Sequence, residues 1–178
     1  YDTRLMFYKS NQAKIPSIAG KIIPEAIFSK RTYYNSIYEK IKHDIAPYDK
    51  ENILDPIWVN SRGAIPRFDR GSIEVRLIDI QECPAADLAI LTLVIEAIKA
   101  LVQEKFMPHE EQVKWRTEPL ASILDGCIRE AENFTISDAH YLRIFGVSEA
   151  QQTAGSIWKK ILSRIIQGGN SSLQQWKP

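Results

Sequence analysis

Cysteine is scarce: Cys83 and Cys127 are the only two in 178 residues, too few for a disulfide framework and without the spacing of a metal knuckle. They read as two buried thiols in a reducing, cytoplasmic compartment. His43, His109 and His140 are far apart in sequence, so no histidine metal motif is present and Cys83 has no neighbouring imidazole to make it a nucleophile. Charge of one sign is also missing, with 23 Lys plus Arg against 22 Asp plus Glu. No overall field therefore recruits nucleic acid or an anionic membrane, and any anion site must be local. The most apolar stretch, residues 85–106, is interrupted by Asp87, Glu96 and Lys99 and falls short of the ~20 uncharged residues a bilayer requires. Internal repeats and low-complexity runs are absent, and no basic segment followed by an apolar run opens the chain. It begins Tyr-Asp-Thr-Arg rather than Met, which points to a piece of a longer protein.

What is present is the composition of one globular domain over residues 1–178, 44% hydrophobic and 25% charged,. The first 28 residues read as a connecting region, with Leu5 to Tyr8 as a short strand and Pro16, Gly20 and Pro24 breaking any helix. Ser29 is placed to cap a helix over residues 30–45, in which Tyr34, Ile37, Tyr38, Ile41 and Ile45 share helical spacing before Pro47 closes it. The tyrosines there read as packing. Ile57-Trp58-Val59 has strand composition. An Arg- and Pro-bearing loop with Arg62, Arg67 and Arg70 follows, then a strand over residues 72–79.

Pro84 suits the first turn of a helix whose apolar residues run almost all round, from Leu88 to Val102, the pattern of a buried central helix. Helices are predicted over residues 118–131 and 150–167, with a short apolar element at 141–146 between them. Gly168 to Ser172 stops the last helix, and residues 169–178 read as a mobile tail.

Chemistry concentrates on the strand at 72–79. Alternation turns Ser72, Glu74 and Arg76 to one face and Ile73, Val75 and Leu77 to the other, which is expected to meet the core. Residues two apart on one face are separated by about 6.6 Å, so Glu74 and Arg76 can meet one ligand. A carboxylate holds a divalent cation and a guanidinium holds phosphate bidentately, which together match a magnesium nucleotide. The same spacing also suits an exposed ion pair. Arg62, Arg67 and Arg70 enter the strand at one end and favour a polyanion, although Asp69 and Asp79 can neutralise some of them.

The run Asn60-Ser61-Arg62-Gly63-Ala64-Ile65-Pro66-Arg67-Phe68-Asp69-Arg70-Gly71-Ser72-Ile73-Glu74-Val75-Arg76, followed by Asp79-Ile80-Gln81-Glu82-Cys83-Pro84-Ala85-Ala86-Asp87-Leu88-Ala89, resembles the carboxyl-terminal part of glutamate-cysteine ligases. The match is to the bacterial carboxylate-amine ligase branch. In that family a basic segment runs into a Glu-x-Arg strand, an Asp and a Pro-x-x-Asp step follow, and a long apolar helix comes next. The resemblance covers roughly residues 58–101. It implies a cytoplasmic ligase, dependent on ATP and Mg, that phosphorylates the side-chain carboxylate of glutamate or a similar acid and lets an amine displace the phosphate. Glutathione biosynthesis is the setting it implies. Carried over, Glu74 is a metal ligand and Arg76 contacts the transferring phosphate, while Arg62, Arg67 and Arg70 are candidate ATP or substrate contacts.

The family's amino-terminal Glu-x-Glu strand is missing from these residues. The fold implied is α+β, with a small antiparallel sheet built from the Leu5, Ile57 and Ile73 segments as part of a glutamine synthetase-like curved sheet, packed against several helices. Such a fragment is expected to sit against the missing amino-terminal half or to self-associate, and to be inactive alone. A non-catalytic binding or assembly module that keeps the fold is the alternative. The expected ligands are small molecules, an amino acid, an amine and ATP, with neither nucleic acid nor membrane.

Overall fold

A computed structural model describes residues 2–167 of the chain; the tail expected at 169–178 lies outside the described residues. In chain order the elements are α1 (Thr3–Asn11), α2 (Lys30–Tyr33), a π-helical turn (Tyr34–Tyr38), α3 (Glu39–Ile45), α4 (Pro56–Val59), β1 (Ala64–Arg67) and β2 (Ser72–Val75). Then come α5 (Pro84–Val102), α6 (His109–Gln112), α7 (Thr117–Glu130), a 3-10 turn (Ala131–Asn133), β3 (Thr135–Ile136), α8 (Ala139–Ile144), β4 (Gln152–Thr153) and α9 (Ala154–Gln167). The fold is α+β: helices with two antiparallel two-stranded sheets, β1–β2 and β3–β4. The single domain expected from sequence is built as two compact units, one of residues 2–78 with 116–128, the other of residues 79–115 with the remainder. Among the described residues no helix is long and apolar enough to cross a membrane.

In the first unit, the core is the helical segment that Ser29 initiates, its hydroxyl accepting from the Thr32 amide at 3.0 Å,. Tyr33, Ile37, Tyr38, Ile41 and Ile45 are buried together, with Ile15, Ile18, Ile27, Ile57, Val59 and Phe68 packed around them. The π-helical turn in mid-segment inserts one extra residue per turn and brings Tyr33 and Tyr38 edge to face at 5.2 Å. Burial raises the pKa of both phenols, that of Tyr38 to about 12, so they stay neutral donors and acceptors at physiological pH. The aromatic residues of this helix are packing, as their spacing implied.

Two segments expected as strands are helices. Asp2 caps α1, accepting from the Leu5 amide at 2.9 Å, so Leu5 to Tyr8 winds up instead of extending. Asp55 accepts from the Ile57 amide at 2.8 Å and Pro56 occupies the first helical position, which overrides the strand propensity of Ile57, Trp58 and Val59. The sheet consequently draws nothing from the Leu5 or Ile57 segments. Its partner for β2 is β1, inside the segment expected to be a loop, in the register Ala64↔Val75, Ile65↔Glu74, Pro66↔Ile73 and Arg67↔Ser72. Gly71, at φ +61°, supplies the left-handed residue that closes this hairpin.

In the second unit, α5 packs on α9, Leu142, Ile157 and Ile161 are buried, and Arg164 donates to the Ile144 carbonyl at 3.3 Å, satisfying the carboxyl end of α8. Trp115 stacks on His140 at 4.7 Å between ring centres, which gives that histidine a packing role. The buried central helix expected at 85–106 is not buried: Ala100 is the one buried residue of α5. Nor are both thiols buried, since Cys83 is exposed and Cys127 half-buried.

Candidate functional site

Register decides what the hairpin presents. Ile65 pairs with Glu74 and Arg67 with Ser72, so Ile65, Arg67, Ser72, Glu74 and, two residues beyond, Arg76 share one face. Ile65 and Arg67 are buried. The other face carries Ile73 and Val75, which are 60% and 40% exposed. This inverts the expected burial of β2: alternation is as predicted, but the polar face is the inward one. A polar face can turn inward only where its groups satisfy one another, and these do.

Arg67 Nη1 donates to Glu74 Oε2 at 2.9 Å, while its Nε and Nη2 donate to the two oxygens of Asp69 at 3.1 and 3.0 Å. Arg76 Nε donates to Glu74 Oε1 at 2.8 Å, and its Nη1 donates to the carbonyls of Asn60 at 2.6 Å and Trp58 at 3.3 Å. Arg70, at the hairpin loop, reaches Asp69 at 3.4 Å and is 60% exposed at its side chain. The Arg67 guanidinium lies 4.6 Å from the Trp58 ring centre, a cation–π contact. Three guanidinium groups face two carboxylates here, leaving one positive charge in excess.

Arg62 stands in a separate network. It is buried, donates to both oxygens of Glu25 at 2.5 and 2.6 Å, and also reaches the Ser17 carbonyl at 3.1 Å and Asn60 Oδ1 at 3.0 Å. Gly20 lies against this pair, where a Cβ would come within 2.8 Å of Glu25 Oε1. Placed so, Arg62 is a strut for the 17–25 loop and not a side chain open to a ligand. Asn60, fully buried, joins the two networks: its carbonyl accepts from Arg76, its Oδ1 from Arg62, and its Nδ2 donates to Tyr33 at 2.8 Å.

The structure thus brings Glu74, Arg76, Arg67 and Arg70 together and sets Arg62 apart. Trp58, Asn60 and Glu25 take part without having been singled out as site residues. The strand reading of 57–59 concealed Trp58, and nothing in the local spacing pairs Glu25 with a residue 37 positions away.

Electrostatically the cluster holds its acids ionised. The hydrogen bond from Arg67 is the largest cause for both Asp69 and Glu74, drawing each pKa below its ordinary value of 3.8 and 4.5, and Arg76 adds to the effect at Glu74. A folded pKa below the unfolded one contributes stability that is present above the ordinary value and is lost as pH falls through the folded value. Carboxyl carbon NMR should therefore show Glu74 titrating below 4.5. In Arg67→Gln it should move up toward the ordinary value, and acid unfolding should begin at higher pH; identical titration in the two proteins would refute the pairing.

The donor set also decides the question of a metal. Both oxygens of Glu74 accept from guanidinium groups and those of Asp69 from Arg67, and among the described residues no group of three His, Cys, Asp or Glu side chains could hold a metal ion. A magnesium ion does not fit these residues by themselves, because it demands near-octahedral oxygen donors that are free to coordinate. What the face can do is attract an anion at Arg70, which is 60% exposed, and to a lesser degree at Arg76, which is 18% exposed,.

No family model matches the chain, and no solved structure matches it. An uncharacterized protein of Archaeoglobus fulgidus is 39% identical over 106 residues, which are 58% of this chain but 28% of the archaeal one. The chain is therefore similar to a piece, between a quarter and a third, of a much longer protein.

Proposed function

We propose that this chain is the carboxyl-terminal, phosphate-facing part of an ATP-dependent carboxylate-amine ligase of the glutamate-cysteine ligase type. The observation that carries the reading is the Arg67–Glu74–Arg76 network on the inward face of the hairpin, at the Glu-x-Arg segment where the resemblance is densest. Arg76 is anchored on two carbonyls and on Glu74, so its guanidinium is oriented before a ligand arrives, as stabilising a transferring phosphoryl group requires. Arg70 adds a second, more exposed cation. Glu74 positions Arg76, and the metal-ligand role implied by the resemblance falls to it only together with carboxylates from outside the described residues. ATP and Mg are the cofactors of the whole protein, with an amino acid and an amine as substrates.

The chemistry balances simply: an acid carboxylate attacks the γ-phosphorus of ATP to give an acyl phosphate and ADP, and an amine then attacks the acyl carbon and expels phosphate. In this chain Arg76 and Arg70 offset the charge of the phosphoryl oxygens, and none of its residues is assigned the proton transfer. A second reading, a binding or assembly module without turnover, is favoured by one observation: Glu74 has both oxygens engaged by arginine.

The deciding assay is ADP release by the longer protein that carries these residues. Release that requires both an acid such as glutamate and an amine such as cysteine supports the ligase; ATP hydrolysis or amide formation absent with every pair tried favours the module. For residues 1–178 alone, titration calorimetry with Mg-ATP is expected to show no tight binding, since the donors present do not complete a metal site. Micromolar affinity would overturn that expectation.

A further inference from the structure

A cavity of about 290 Å³ opens between the end of α5 and α9, within one compact unit. That volume is near the lower end of those that hold small organic ligands. Lys99, Lys105 and Arg164 bring three positive charges to its lining against the single carboxylate of Glu96. Glu96 is committed to Lys99 at 2.8 Å, its side chain 13% exposed. Lys105 and Arg164 have no acidic partner among the described residues, so two positive charges remain in excess. Both are anchored by contacts that leave most of their donors free. Arg164 lies 5.3 Å from the Phe106 ring centre and uses one of its five N–H donors on the Ile144 carbonyl at 3.3 Å,. Lys105 follows Glu104, which takes the left-handed conformation at φ +57° where helix ends commonly place glycine. The Lys105 amide then returns to the Ala100 carbonyl at 2.9 Å, which fixes the start of its side chain at the cavity wall. The Leu101 carbonyl accepts from the Glu104 amide at 3.0 Å and from Gln112 Nε2 at 2.7 Å. The negative end of α5 is therefore capped and does not oppose an anion beside it.

We propose that this cavity binds the phosphate group of a small phosphomonoester. A phosphate dianion matches the excess of two charges; its oxygens suit the planar fork of Arg164, and Lys105 adds a point charge. Ala100, Phe106 and Ile165 supply an apolar wall for the organic part, which free phosphate would leave uncovered. A neighbouring hollow that shares Arg164 carries Lys159, together with Lys160, which is paired with Glu149 at 3.3 Å. The field around the cavity is therefore positive as well and draws anions toward it. The site belongs to a different compact unit from the hairpin and does not rest on the ligase reading.

The test is an NMR titration of residues 1–178 at about pH 8, where a phosphomonoester is a dianion, at constant ionic strength. Phenyl phosphate, inorganic phosphate, benzoate and succinate are added in turn. Phenyl phosphate should saturate with Kd below about 1 mM and bind at least ~5-fold tighter than each of the other three. The shifted amides should be those of residues 99–106 and 164–165. Lys105→Ala and Arg164→Gln should each weaken phenyl phosphate at least ~10-fold. The Lys105 side chain makes no hydrogen bond among the described residues, so its truncation keeps the fold. Lys50→Ala, the same change of charge at an exposed position of the other unit, should leave binding unchanged. No saturation by about 10 mM, shifts confined to the β1–β2 hairpin, or equal weakening by Lys50→Ala and Lys105→Ala would overturn the site. Inorganic phosphate or succinate as tight as phenyl phosphate would overturn the phosphomonoester as its ligand.

Discussion

Arg76→Ala in the complete protein should lower ATP-dependent amide formation by about 10²–10³ in kcat, the scale of losing one preorganised donor at a charge-developing centre. The size follows from where the side chain is held. Its Nε is fixed on Glu74 and its Nη1 on the carbonyls of Asn60 and Trp58, so alanine removes an oriented charge. Glu74→Gln should act in the same direction, because it loosens Arg76 and Arg67 together. Arg76→Lys separates this role from a structural one: lysine keeps the charge but cannot span Glu74 and both carbonyls with a planar fork. It should recover KM for ATP better than kcat. If Arg76 only braces the hairpin, all three substitutions would lower thermal stability and leave kcat per folded molecule unchanged, which is the result that sinks the assignment.

How much of this was legible in the sequence depends on whether the deciding interaction is local. Ser29, Pro47 and the spacing of Ile37, Ile41 and Ile45 mark the core helix within its own residues, and the structure has it there. Glu74 and Arg76 are two apart, so their meeting follows from strand geometry. The Leu5 and Ile57 segments failed because a single capping aspartate before each, Asp2 and Asp55, outweighs the composition of the three or four residues that follow. Pro66 hid β1, since proline argues against a central strand, yet here it stands in a two-stranded sheet in which each strand is an edge,.

The inversion of β2 has a different cause. Alternation fixes which residues share a face but not which face turns inward. That was decided by Arg67 and Asp69, which make the polar face self-sufficient. Arg62 shows the same limit: its partner Glu25 lies 37 residues earlier, so a buried strut and a ligand-binding arginine look alike in the sequence. The exposure of α5 was invisible because a helix apolar all round gives no sign of which flank its neighbours leave bare.

The largest loss of stability from one substitution should come from Ile41→Ala. Ile41 is 0% exposed at the centre of the cluster of Tyr33, Ile37, Tyr38 and Ile45, and truncating such a residue costs about 2–5 kcal/mol in lost transfer energy and unfilled cavity. For a chain of this size each kcal/mol moves Tm by about 2–4 °C, so a drop of about 4–20 °C is expected. Ile41→Val should cost about 0.5–1.5 kcal/mol, and Ile53→Ala, at a position 75% exposed, should leave Tm nearly unchanged. The cavity also reaches the site, because Tyr33 accepts from Asn60 and Tyr38 donates to the Pro66 carbonyl at 3.5 Å. Hydrogen exchange in the Ile41→Ala protein should therefore quicken at the amides of the β1–β2 ladder before it quickens in α9, which belongs to the other unit,. Equal acceleration in both would mean that the helix does not support the hairpin, and that Arg67, Glu74 and Arg76 are held by their own network alone.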